Sequence, residues 1–149
     1  MTEVTELIRR AFRESGGGNQ ARIPSVQANR GHFNATLHDD NQGIEVDNLG
    51  AQPFLPWAAF QHAVCAMLTN GGTALRGDAM GARLGTAALP LDSIEGRIAH
   101  RVYGQQTGNT VFKRITPIAC VLIWAGICEH VPNHLRLRPG IEIRANCED

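Results

Sequence analysis

Val4, Leu7, Ile8, Ala11 and Phe12 recur at three- and four-residue steps, which puts them on one face of a helix. Glu3 and Glu6 stand in its first turn and Arg9, Arg10 and Arg13 in its last, the order that the helix dipole favours. Ser15 and the glycines at 16 to 18 stop it, so residues 1–18 read as a helix on a glycine-rich tether. From His32 to His38 the period changes to two, with Phe33, Ala35 and Leu37 on one face. Ile44 and Val46 alternate again beyond a polar turn, which predicts a hairpin over residues 32–47. Pro53 and Pro56 then bracket the entry to a second helix. Trp57, Phe60, Val64, Met67 and Leu68 form its core side, and Asn70-Gly71 closes it.

The stretch from Leu91 to Cys128 reads as two helices joined by a short glycine-containing connection. Pro90 precedes Asp92, and Glu95 follows three residues later, so the spacing predicts a capping box and a helix starting at Asp92. Leu91, Ile94, Ile98 and Val102 make its apolar stripe and leave Glu95, Arg97, His100 and Arg101 largely on the other face. Gly96 costs about 1 kcal/mol against alanine, acceptable where a neighbour approaches closely. The next helix starts at Thr116-Pro117, with Val111 to Ile115 as a further turn before it. From Ile118 to Cys128 every residue is apolar or glycine, so this helix has no polar face and should bury Leu122 and Trp124. At about 16 Å it is too short for a bilayer core of roughly 30 Å, so no membrane partner is expected. His134 to Ile143 alternates about Pro139-Gly140, which predicts a second hairpin near residues 134–144, and Asn146 to Asp149 should fray.

A chain of 149 residues with 43% hydrophobic content supports one core, so residues 19–149 read as a single globular domain after the tether. The formal net charge is +0, yet between Leu91 and Arg144 seven basic residues stand against four acidic ones, so an anionic partner would be met there. Lys113 is the lone lysine beside thirteen arginines, a ratio that coding bias explains as well as anion recognition does. Cys65, Cys120, Cys128 and Cys147 show no paired spacing, and two of them fall inside the buried helix pattern. They read as free thiols in a reducing compartment, and with no leader after Met1 the expected location is cytoplasmic.

Several arrangements resemble catalytic sites without completing one. Asp39, Asp40, Glu45 and Asp47 could be metal-nuclease carboxylates, but the lysine such a site places beside its second acid is missing, and they read as turn and solvent-face residues. His62 and Cys65 are spaced to pair a base with a thiol, but nothing orients the histidine. Gly72 and Gly77 have the gap of a phosphate loop, with Asp78 where lysine is required. Cys128, His130, His134 and Cys147 are zinc-ligand types at no recognised spacing, so no metal or cofactor is assigned.

Helix, turn, helix and basic hairpin, in that order over about residues 56–145, resembles a winged-helix domain. The fold class is thus α+β, a small and mainly helical single domain with two hairpins and a winged-helix-like C-terminal part. The resemblance implies a non-catalytic nucleic-acid-binding module, with DNA as the expected partner. Arg97, Arg101, Lys113, Arg114, Arg136 and Arg138 would meet phosphates, with His100, Gln105, Gln106 and Thr110 near base edges. One feature departs from the pattern: the second helix has no face to read a groove, and only its leading turn, with Thr110, Lys113, Arg114 and Thr116, can reach one. The alternative is a protein-interaction or assembly module, docking through the N-terminal helix, as in a homodimer, or through the exposed part of the Trp57 helix. A third reading is a small hydrolase-type enzyme built on Cys65 and His62 or on the residues near His130.

Overall fold

The computed structural model describes residues 1–26, 31–38 and 42–148. Strand β1 (Thr2–Glu3) leads into α1 (Val4–Ser15), which buries Val4, Ile8 and Phe12 and stops at Gly16, left-handed at φ 82°. The expected hairpin is present as β3 (His32–Leu37) and β4 (Gly43–Val46), paired antiparallel with Ala35 opposite Val46 and Leu37 opposite Ile44. It is the middle of a larger meander, completed by β2 (Gln20–Pro24) and β5 (Phe54–Pro56) in the order β2-β3-β4-β5. Ala21, Ile23, Phe33, Ala35, Ile44, Val46 and Leu55 fill the inner face of this sheet.

Helix α2 (Trp57–Thr69) buries every residue from Ala59 to Met67 except Gln61, so its exposed part is confined to its ends, at Ala58, Leu68 and Thr69; Leu68 was expected in the core. It is followed by β6 (Thr73–Leu75), α3 (Ile94–Arg101) and α4 (Ile115–Trp124). The cap of α3 is Ser93 rather than Asp92, its hydroxyl accepting from the Gly96 N–H at 3.0 Å and donating to the Pro90 carbonyl at 2.6 Å. A Cβ on Gly96 would stand 2.0 Å from that carbonyl, so the close neighbour is the chain's own approach to α3. Glu95 does not reach back to close a capping box; it is 1% exposed and points inward.

Helix α4 starts at Ile115, with Pro117 in its first turn, where the missing N–H costs nothing. Ile118 to Leu122 are buried, while Trp124, expected in the core, is half-buried against Phe12 at 5.1 Å between ring centroids. Leu122→Ala is expected to lower the unfolding free energy by about 2–5 kcal/mol through lost transfer energy and a cavity, read by urea denaturation. A loss below about 1 kcal/mol would mean that the helix is not the core rod its burial describes.

Left-handed Gly126, φ 79°, ends the helical run, and Cys128 already lies in β7 (Cys128–Val131). Strand β7 turns through Pro132-Asn133 into β8 (His134–Leu137), so the second hairpin covers residues 128–137 and not 134–144. The alternation of Ile141 and Ile143 cannot extend it, because both edges of β8 are taken by β6 and β7, in the order β6-β8-β7. The chain instead runs on to β9 (Ile143–Arg144), which pairs parallel with β1. Beyond it, where fraying was expected, Cys147 is disulfide-bonded to Cys65 and the Asn146 N–H donates to the Gln61 side chain at 2.8 Å; Asp149 lies outside the described residues. Four helices and three sheets thus make one α+β domain among the described residues.

Candidate nucleic-acid interface

Two of the arginines expected to meet phosphates are internal. Arg97 is 9% exposed; its Nε donates to His62 Nδ1 at 3.1 Å and its Nη2 to the Cys147 carbonyl at 3.3 Å. Arg114 is 6% exposed and lies 3.5 Å over the Tyr103 ring centroid, donating also to the Gln52 side chain and the Phe112 carbonyl. Their planar forks brace distant segments, and neither is presented to solvent. Beside them Glu95 Oε1 accepts the N–H groups of Arg114 at 2.8 Å and Ile115 at 3.1 Å, an acidic cap on the start of α4. Burial pushes the Glu95 carboxyl up from its ordinary value, and those two N–H groups oppose the shift.

Docking along α4 is closed by packing. The helix is wedged among α1, α2, β2 and β7. The remaining expected contacts are dispersed. His100 shares a ring nitrogen contact of 3.1 Å with the Gln105 carbonyl, Gln105 accepts from Asn109, and Gln106 donates to the Gly104 carbonyl, so this loop spends its polar groups on itself. Arg101 and Thr110 are exposed, as is Arg138 just past β8. Arg136 pairs with Glu129 across the hairpin at 2.6 Å.

Of the ten, Lys113 lines a cavity. A cleft of about 760 Å³ opens between the loop after β6, the approach to α4 and the tip of the β7–β8 hairpin; Arg76, Lys113, His130, Asn133 and His134 line it. The Arg76 main chain is fixed on both sides, its N–H donating to Asn133 O and its carbonyl accepting from Glu95 N, each at 2.9 Å. Its guanidinium is partly buried, which pulls its pKa down, and neither it nor Lys113 makes a hydrogen bond or ion pair to a described residue. The one acid in the cleft, Asp78, is occupied by the N–H groups of Met80 and Gly81. The sequence gives Arg76 no face, because the glycine-rich run around it, with Gly77, Gly81 and Gly85 four apart, suits a helical turn and a loop equally well.

The other candidate chemistries dissolve in the fold. Cys65 is tied to Cys147 and His62 accepts from Arg97, so the base and thiol pair does not form. Cys147 is thereby withdrawn from the zinc set, and no group of three or more metal-ligand side chains exists among the described residues. Cys120 and Cys128 are the free thiols, both buried, and burial pushes the Cys128 thiol up to about 12. Asp47 accepts from the Asn34 backbone and side chain at 2.9 Å and Glu45 faces His38 at 3.5 Å, whereas Asp39 and Asp40 lie outside the described residues. No described helix is long and apolar enough to cross a membrane. No family model, curated protein or solved structure matches the chain.

Proposed function

We propose that the chain is a non-catalytic nucleic-acid-binding module that meets phosphates through the cleft between the hairpin tip and the approach to α4, and not along α4 itself. The observation that carries this reading is that Arg76 and Lys113, two cations with no hydrogen-bond or ion-pair partner among the described residues, line one cavity. A guanidinium partly withdrawn from water loses hydration, and an anion that accepts its hydrogen bonds restores what was lost. Phosphodiester oxygens are such acceptors, and Arg76 is held in place for them by its own backbone bonds. The order α3, connection, α4 and β7–β8 hairpin, which is that of a winged helix, agrees with the reading by analogy only. His130, Asn133 and His134 at the rim are donors suited to sugar or base edges.

The test is binding to a mixed DNA and RNA pool at two salt concentrations. A salt-dependent complex is expected, and replacing both Arg76 and Lys113 with alanine should flatten the slope of log affinity against log salt by about 2 on duplex DNA. Arg138→Ala, on the far end of the hairpin, should change it by less than about 0.5 on the same scale. No complex at low salt, or an unaltered slope in the double variant, defeats the reading. In that event the enclosure of α4 favours the assembly reading. A groove between α1 and the end of α4 presents the half-buried Leu7, Ala11 and Trp124, with Arg10 and Glu14 at its rim. Concentration-dependent association of the chain, lost in Ala11→Arg, would then support it.

A further inference from the structure

We propose that the C-terminal segment from Ile143 to Glu148 is a strap over His62 and Arg97, and that the redox state of Cys65 and Cys147 controls its release. The inference stands independently of any nucleic-acid partner. Apart from the disulfide, the segment is lightly held. Ile143 is its one buried side chain, with Ala145 packed in part against the core; β9 pairs with β1 over two residues, Arg144 meets Glu3 at 3.8 Å in an exposed ion pair, and Asn146 and Cys147 contribute a backbone hydrogen bond each, to Gln61 and Arg97. What lies beneath is polar. His62 is 4% and Arg97 9% exposed, hydrogen-bonded to each other, and beside them Gln61 links the tail to Thr5. Uncovering a polar surface of this kind lets water take over the lost hydrogen bonds, so the main apolar group that opening exposes is Ile143. The covalent bond is therefore the contact that decides whether the strap stays closed.

The two sulfurs are placed unequally for exchange. Cys65 is 0% exposed within α2, whereas Cys147 is half-buried at the surface. A thiolate of an external dithiol attacks Cys147 Sγ; the sulfur–sulfur bond breaks, and its electron pair leaves on Cys65, which takes up a proton. The second thiol of the reagent then displaces Cys147 from the mixed disulfide. Two electrons and two protons pass to the protein, and the dithiol departs as its cyclic disulfide.

The experiment uses the full chain, oxidised and after treatment with dithiothreitol, probed by diethyl pyrocarbonate labelling of histidines and by amide hydrogen exchange. In the oxidised protein His62 should be unlabelled while exposed His130 is labelled. On reduction His62 should become reactive and the amides of residues 143–148 should lose protection, with α4 still protected. Cys147→Ser should show the same open pattern without any reductant. The proposal is overturned if His62 stays unlabelled after reduction, if α4 loses its protection together with the tail, or if protein purified without reductant carries free thiols at Cys65 and Cys147.

Discussion

Glu95→Ala is expected to lower the unfolding free energy by about 3–5 kcal/mol, since a lost acceptor costs roughly 1–3 kcal/mol for each buried N–H left unpaired. Two such groups, those of the buried Arg114 and Ile115, depend on one carboxylate oxygen at the start of the helix. Glu95→Gln keeps an oxygen in that place and should cost less than half as much. The pair of variants also separates cap from charge. Burial holds the folded carboxyl above its ordinary 4.5, so the folded protein binds this proton more tightly than the unfolded chain does. The associated stability is complete below 4.5 and declines as pH rises through the folded value, after which it is constant. Glu95→Gln should abolish that decline and fare better, relative to the parent, at pH 7 than at pH 4. Urea denaturation across that range checks both points; equal losses for alanine and glutamine would show that the two N–H groups are not what the side chain serves.

Cys147→Ser carries the second large effect, a loss of about 2–4 kcal/mol measured by urea denaturation without reductant. The bridged residues are 82 apart in sequence, a loop whose closure removes much of the freedom of the unfolded chain. A change of less than about 0.5 kcal/mol would mean that the bond does not constrain the unfolded ensemble in solution.

Long periodic segments were legible in the sequence, because one apolar face per turn or per alternate residue needs no knowledge of partners. That covers α1, α2, α4 and the β3–β4 pair. Strand β2 escaped, although Ala21 and Ile23 alternate, since five residues straight after a glycine run give little signal. The hairpin boundary slipped because Cys128 continues an apolar run, and Gly126 alone marks the change from helix to strand. The site was less legible for a different reason. Arg97 and Arg114 look the same in sequence whether solvated or buried, and what buries Arg97 comes from His62 and Cys147, 35 and 50 residues away. Lys113 was singled out because the stripe it precedes is wholly apolar, which leaves the approach to α4 as the place for polar contact, and the fold sets it on the wall of a cleft.

The two shielded thiols turn the folded protein into its own stopwatch. Cys120 sits in α4 and Cys128 in β7, and a thiol-specific reagent reaches neither while both elements are in place. Labelling must therefore wait for an opening event, and when closing is faster than the reaction its rate reports the population of the open form. Once each rate is divided by that thiol's rate in the unfolded chain, the cysteine that reacts sooner identifies the side of the core that loosens first, and RT times the logarithm of the ratio is the free energy that separates the two openings.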